Sequence, residues 1–296
     1  MHPGPSPKQI TLAVALAALL VAGGVPRPAH AALISTQQEV AIGREAARDL
    51  ESRFGVVRDA AETGRLAAIG GRLAAVSDRR DLPWTFRILN QRAVNAVSLP
   101  GGFVYVTRGM LDFVRSEDEL AFVLAHEVAH VNQRHHVNLL ERHFFMGIVI
   151  SLLFGGDPTA TQVANFVGFL LSRGFSRSAE FEADQVGVHF THRAGFRADA
   201  GLQFMERLRA AEGRDPSQFE VLFRTHPALP DRIVRVREEL RRLGYQARAR
   251  ERPGIPGYPA RTRGQPRLAG RQLHTRGWPG RSSYLARPAL QVPCAA

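Results

Sequence analysis

The chain has 296 residues, of which 45% are hydrophobic and 22% charged, a balance typical of a globular protein with one or two domains. Its formal net charge of +12 is concentrated at one end, since residues 246–296 carry ten arginines against one acid, Glu251. The basic excess therefore gives no reason to expect specific nucleic-acid binding by a folded domain. The single cysteine, Cys294, excludes an intramolecular disulfide framework and a zinc site built from cysteines.

The N-terminal residues have the three parts of a secretory signal peptide. Lys8 precedes an apolar run over 10–22, and a small-x-small stretch over 29–31 precedes the expected cleavage before Ala32. The apolar run is shorter than the ~20 residues that a membrane-spanning helix needs. We therefore expect residues 1–31 to be removed on export to the periplasm, with an uncleaved membrane anchor as the alternative.

Helix and strand patterns begin directly after this segment. Ser35 and Gln38 form a capping box that begins a helix lasting to Phe54. A second helix is predicted by apolar spacing over 59–76. A turn signal at 100–102 then separates two of three short β-rich stretches. The predicted strands cover 84–89, 93–97 and 103–106.

Helices dominate the rest of the folded region. Ser116 and Glu119 form another capping box, which begins a helix predicted to continue to about Leu140. The apolar blocks 144–154 and 163–171 are each too short to cross a bilayer. Two interpretations of these blocks are open, namely buried core helices or a helical hairpin that dips into a membrane face. Further helices are predicted over 177–193, 198–212 and 230–243.

Composition changes sharply after these helices. Residues 246–296 contain seven prolines, six glycines and ten arginines with little apolar periodicity. Such a segment cannot bury enough apolar surface to offset the entropy of ordering it. The sequence therefore predicts a folded domain over 32–245 and a disordered tail over 246–296. The tail is interpreted as a solvated segment, with an electrostatic tether to anionic lipid or envelope polymer, or a nucleic-acid arm, as alternatives.

A metal-binding pattern lies within the helix that Ser116 begins. His126 and His130 are four residues apart, so they share one helical face and can bind one Zn²⁺. Glu127 is offset by one residue, beside the metal rather than on it, which suits a general base. The pattern predicts one zinc ion per chain, and an unrelated pair of helix histidines is the alternative.

A catalytic zinc site needs a third protein ligand and an open position. Glu180 and Asp184 share a face of the predicted helix over 177–193, so that Glu180 can bind zinc while Asp184 accepts the spare N–H of a ligating histidine. On the residues alone, an ordinary acidic helix face containing Glu182 is equally acceptable. Five other histidines are competing donors: His135, His136, His143, His189 and His192.

Four segments in order resemble the zinc metalloprotease family of HtpX, BepA and the CAAX prenyl endopeptidases. The similarity extends from about residue 35 to 243 and is far more specific than the zinc motif alone. It implies a gluzincin fold that is α+β and mainly α, with a small β-sheet packed on the zinc-motif helix, and endopeptidase activity. The similar segments are 95–106, 126–130, 176–184, and Thr225-His226-Pro227 with Arg232.

The resemblance also implies roles for individual residues. Glu180 is expected as the third zinc ligand, with Asp184 and Arg232 next to the ligands rather than on the metal. His226 is expected near the zinc, either as a stabiliser of the oxyanion or as an inhibitory extra ligand.

Substrate binding is expected at a strand edge, because an extended peptide can add to a sheet through backbone hydrogen bonds. The candidate segment is 95–106, with Asn95, Ala96 and Val97 nearest the catalytic helix. An internal hairpin without a substrate role is the alternative.

We therefore expect a zinc-dependent endopeptidase of the periplasm that hydrolyses misfolded or misassembled exported proteins, with peripheral membrane contact left open. HtpX and the prenyl endopeptidases have several membrane spans, which are not predicted here, so a prenylated substrate is not expected. BepA carries a helical-repeat domain after the catalytic one, where this sequence has the Arg-rich segment. The alternative function is a chaperone-like binder that holds outer-membrane protein precursors in the same groove without cleaving them.

Overall fold

The computed structural model of the chain describes residues 34–143, 160–212 and 216–245. Helices dominate and three strands form one small sheet, which confirms the expected α+β, mainly α class. The predicted signal peptide, the first apolar block and the predicted Arg-rich tail lie outside the described residues. The helices are α1 Thr36–Phe54, α2 Ala60–Val76, α3 Arg108–Phe113, α4 Glu117–Asn132, α5 His135–His143, α6 Ala160–Arg173, α7 Arg177–Arg193, α8 Asp199–Ala211, α9 Pro216–Thr225 and α10 Leu229–Arg242.

The sheet has the strand order β1-β3-β2. The central strand β3 pairs with β1 in parallel and with β2 in antiparallel orientation. The turn between β2 and β3 contains Gly101 and Gly102, whose φ angles of 76° and 99° require glycine. Because β2 has a strand neighbour on one side only among the described residues, it is an edge strand of this sheet. The strands are β1 Thr85–Leu89, β2 Ala96–Leu99 and β3 Phe103–Thr107.

Helix α4 runs through the centre of the structure, because every residue from Glu119 to Val131 is buried. A helix that is enclosed all round needs neighbours on each side. It packs against α2, α7, α8 and the sheet strands β2 and β3. At Gly187 of α7 the two helices come so close that an added Cβ would lie 3.2 Å from the backbone nitrogen of His126.

The second apolar block, 163–171, lies within α6, which packs against α1. Phe166, Val167 and Leu170 are buried in the hydrophobic cluster that α1 and the outer face of the sheet share. These contacts favour the first of the two interpretations, a core helix. Among the described residues, no helix combines the length and apolar character needed to cross a membrane.

The prediction of one helix from Ser116 to about Leu140 was wrong. Helix α4 ends at Asn132, Arg134 has a left-handed φ of 54°, and α5 begins at His135. The Arg134 side chain donates to the carbonyl of Ile34 and pairs with Glu39 of α1. This contact with a distant segment replaces the local helical pattern and turns the chain back beside α4.

Three smaller differences concern one strand and two short helices. The second strand is Ala96–Leu99 rather than 93–97, because Val94 donates its backbone N–H to Gln218 instead of joining the sheet. Helices α3 and α9 were not predicted, since six and ten residues give little apolar periodicity.

Both predicted capping residues accept a backbone hydrogen bond, but only one predicted capping box is complete. Ser35 and Gln38 exchange both reciprocal hydrogen bonds. Ser116 accepts from the backbone of Glu119, whereas the Glu119 carboxylate accepts from Arg115 and pairs with Arg207. The ion pair with Arg207 therefore takes the place of the hydrogen bond that Glu119 would make to the backbone N–H of Ser116.

Replacing Gly187 with Val should force α4 and α7 apart, because the new side chain meets backbone atoms that cannot rotate away. We expect the free energy of unfolding to fall by about 1–3 kcal/mol, measured by urea denaturation. Gly71→Val in α2 is the control, since this glycine is exposed and a Cβ there meets nothing within 4 Å. Equal stabilities of the two variants would contradict the close approach.

Candidate metal centre

Two histidines one helical turn apart form the base of the site. His126 and His130 lie on the face of α4 that packs against α7, and they are 5% and 0% exposed. Their Nε2 atoms are 3.1 Å apart. Since the i and i+4 side chains of a helix point the same way, the spacing alone brings these two nitrogens together.

Glu180 enters from the first turn of α7, which Ser176 caps. Its carboxylate oxygens lie 3.3 Å from Nε2 of His130 and 3.5 Å from Nε2 of His126. His226, in the short link between α9 and α10, places Nδ1 3.1 Å from the same carboxylate. Each of these four side chains offers one donor atom that lies within 4.8 Å of the others.

The donor set fits a divalent cation with nitrogen and oxygen ligands, such as zinc. Nδ1 of His126 lies 3.0 Å from an oxygen of Asp184. Because a carboxylate only accepts, this nitrogen carries the hydrogen and Nε2 presents its lone pair to the cluster. A cation between the facing nitrogens and the Glu180 carboxylate satisfies lone pairs that would otherwise repel one another.

The charges around the site also favour a cation. Burial lowers the pKa of His126, but hydrogen bonds to Asp184 and Glu180 outweigh this effect and raise the pKa to about 9. Burial raises the pKa of Glu180, whereas nearby His226 and Arg232 hold it well below its usual value. Glu180 is therefore anionic. A proton and a metal ion compete for the donor atoms at the centre of the cluster.

Arg232 of α10 holds the two carboxylates of α7 in place. It donates two hydrogen bonds of 2.7 Å to Asp184 and lies 2.7 Å from Glu180. The guanidinium is almost fully buried. The structure thus places both Asp184 and Arg232 next to the histidine and glutamate donors.

Glu127 points into the same region from α4 and is 2% exposed. Its Oε2 accepts a 2.7 Å hydrogen bond from the hydroxyl of Ser98 in β2. Its Oε1 lies 3.7 Å from Nε2 of His226. One carboxylate oxygen is thus fixed by the sheet, while the other faces the donor cluster.

Sequence reasoning did not find Ser98. The signal available was strand alternation, which places Ser98 on the same face as Ala96, the face expected toward the catalytic helix. Behind Ser98, the buried His136 donates from Nε2 to the Ser98 carbonyl over 2.8 Å.

The expected substrate residues lie beside Glu127. Ala96 and Val97 begin the edge strand β2, and the backbone N–H of Asn95 donates to the hydroxyl of Thr107. All three line a narrow cavity together with Glu127, His226 and Phe175. The structure therefore brings the candidate edge and the candidate base to one cleft.

The competing histidines do not join the donor cluster among the described side chains. His189 contacts Glu239, and His192 contacts the hydroxyl of Tyr245. His135 and His136 lie behind His130 and Ser98 respectively. The side chain of His143 is outside the described set.

The fold and the donor cluster are those of a metallopeptidase. The family model described as peptidase family M48 matches residues 60–240. Because this match covers more than half of the chain, the chain belongs to peptidase family M48.

Several curated proteins are similar to this chain. A putative beta-barrel assembly-enhancing protease of Vibrio cholerae is 32% identical over 70% of the chain and 45% of its own length. The mitochondrial metalloendopeptidase OMA1 of Schizosaccharomyces pombe is 35% identical over 57% of the chain and 50% of its own length. The beta-barrel assembly-enhancing protease of Escherichia coli K12 is 27% identical over 69% and 44%. The chain thus spans about half the length of the curated relatives it matches.

Stability should fall in acid partly because of His136. Burial lowers its pKa from 6.5 to about 3, against the opposing effect of its hydrogen bond to Ser98. The unfolded chain therefore takes up this proton first, and the lost stability grows by about 1.4 kcal/mol per pH unit as pH falls below about 6. His136→Gln can keep the hydrogen bond to Ser98 through its amide but cannot take up a proton. We therefore expect the unfolding free energy of this variant to lack the part of the acid-induced loss that comes from His136.

The measurement is urea denaturation of metal-free wild type and variant between pH 7 and pH 4. A difference between the two unfolding free energies that stays constant with pH would contradict the prediction.

Proposed function

We propose that this protein is a zinc-dependent endopeptidase that cleaves misfolded or misassembled proteins of the cell envelope. The observation that carries the proposal is the convergence of His126, His130 and Glu180, with Glu127 beside them and held by Ser98. Three protein donors with an adjacent carboxylate are what a hydrolytic zinc site requires.

His126, His130 and Glu180 would hold the zinc ion, which would supply Lewis-acid polarisation of the scissile carbonyl and a lower pKa for water. Glu127 acts as general base through Oε1, the oxygen that Ser98 leaves free. It takes the proton of the attacking water and passes it to the leaving amine. Arg232 and Asp184 keep Glu180 charged and His126 in the tautomer that presents Nε2.

The edge of β2 supports a binding mode for the substrate. An extended peptide can add to the outer edge of β2 at Ala96, because that edge has no second strand partner among the described residues. Such binding depends on backbone hydrogen bonds rather than on the side chains of the peptide. Unfolded segments of many proteins can therefore bind as substrates.

The location and the substrate class are supported by two kinds of observation. The first 31 residues have the pattern of a signal peptide, which supports export to the periplasm. Two of the relatives are named as beta-barrel assembly-enhancing proteases, one of them putatively. We therefore propose misassembled envelope proteins as substrates of this chain.

Glu127→Gln should abolish peptide cleavage while leaving zinc bound, because the amide cannot accept the water proton and Glu127 is not one of the clustered donors. We expect a loss of at least about 10²-fold in cleavage of an unfolded protein such as casein. Zinc content is measured by mass spectrometry of both proteins. Equal cleavage by wild type and variant would end the proposal.

A second candidate function is a binder that holds unfolded precursors in the groove without cutting them. The observation that favours it is the position of His226, whose Nδ1 lies 3.1 Å from Glu180 and 3.4 Å from Nε2 of His126. A fourth protein donor there closes the position that a catalytic site needs open.

We expect His226→Ala to separate the two functions. If His226 is a reversible fourth donor of an endopeptidase, removing it opens the site, and cleavage of casein rises several-fold while one zinc ion per chain remains bound. If the protein is a non-cleaving binder, the variant stays inert. A fall in cleavage would instead assign His226 to the stabilisation of the oxyanion.

A further inference from the structure

His135 lies directly behind His130, on the side away from the donor cluster. The break at Arg134 turns the chain so that Nδ1 of His135 lies 2.9 Å from Nδ1 of His130. The other ring nitrogen of His135, Nε2, lies 3.2 Å from Oε2 of Glu182. His135 itself is only 6% exposed, so its ring has little access to water.

These contacts fix where the hydrogens lie. Glu182 can only accept, so Nε2 of His135 carries a hydrogen and donates it. A neutral His135 then has a bare Nδ1, which accepts a hydrogen from Nδ1 of His130. Nε2 of His130 is left with its lone pair, and this is the atom that faces Glu180 and His126.

Two further groups support the arrangement. The side-chain amide of Gln133 donates to the other oxygen of Glu182. This bond restricts the carboxylate that accepts from His135. Phe175 stacks on the His130 ring with 4.0 Å between centroids and 19° between planes, which limits rotation of the ring. Together they hold His130 in one orientation and one tautomer.

The two histidines of α4 are therefore oriented by different chemistry. His126 donates to Asp184, a buried carboxylate paired with Arg232. His130 donates to the neutral imidazole of His135. The negative charge of Glu182 lies on the far side of that ring, and half of the Glu182 side chain is exposed to solvent. A ligating histidine ordinarily needs such an acceptor to fix its tautomer and its direction.

We propose that His135, through its hydrogen bonds to His130 and Glu182, is a positioning residue for metal binding at this site. The inference rests on the proposed function only in requiring a zinc ion held by His130. His135 does not touch the metal or the substrate, and it acts by presenting Nε2 of His130 as a ready donor.

The test is the zinc dissociation constant of the full chain, measured by competition with a chromophoric chelator. His135→Phe keeps a ring but removes the acceptor, and we expect zinc to bind about 10–100-fold more weakly. His135→Asn loses the ring but places a carbonyl oxygen near the former Nδ1, so we expect it to recover most of the affinity. His192→Phe, at an exposed histidine of α7, is the control and should bind zinc as wild type does.

The order of the two His135 variants distinguishes positioning from packing. If His135 only filled space, Phe would be the better replacement and Asn the worse one. Zinc binding that is equal in wild type and His135→Phe, or weaker in Asn than in Phe, would overturn the proposal.

A second pair of variants keeps the test decisive if His135→Phe does not fold. Glu182→Ala removes the acceptor for His135 and should weaken zinc binding several-fold, whereas Glu182→Gln keeps an acceptor oxygen and should bind nearly as wild type does. Equal zinc affinities of these two variants would also overturn the proposal. Zinc binding without peptide cleavage by wild type would refute the proposed function and leave this inference standing.

Discussion

The carboxylate of Glu180 has no exposed surface, and the arrangement around it follows from the need to stabilise its charge. An ionised carboxylate taken out of water costs several kcal/mol unless opposite charges and hydrogen bonds surround it. Here Arg232 supplies one positive charge and the histidines of α4 supply donors or, with a metal, ligands. The close approach of α4 and α7 at Gly187 makes these distances possible. The geometry of the site therefore depends directly on the packing of α4 against α7.

Support for the donor cluster comes from three separate parts of the chain. Helix α10 contributes Arg232, the sheet contributes Ser98 to hold Glu127, and α5 contributes His135 behind His130. Each of these groups is itself buried and hydrogen-bonded, so its rotamer is limited by packing. Such a second layer keeps donor atoms aimed at one point before any ligand arrives, which reduces the ordering that binding would otherwise require.

Local patterns made part of this site predictable from the sequence. The i and i+4 spacing of His126 and His130 needs only helical geometry, and the predicted cap at Ser116 marks where the helix that carries them begins. Glu180 could not be separated from its acidic neighbours by spacing alone, because its selection depends on how α7 crosses α4. For that residue the resemblance to a family was necessary.

The missed features depend on distant contacts. The sequence between Ser116 and Leu140 is helical throughout by propensity, and only the pairing of Arg134 with Ile34 and Glu39 reveals the break. The position of His135 behind His130 follows from that break, so it could not be foreseen either. Ser98, which contacts Glu127, lies within β2 because this strand covers Ala96–Leu99 rather than the predicted 93–97, while Val94 bonds to Gln218 outside the sheet.

The turn at Arg134 connects the start of α5 to the start of α1. Glu39 of α1 receives Arg79 and Arg134 and also accepts from the backbone of Gly101, so one carboxylate joins four separate segments. Arg134 in turn reaches the Ile34 carbonyl, 100 positions earlier in the chain. Since Arg134 lies directly before α5, the position of His135 behind His130 depends on contacts made at the start of α1.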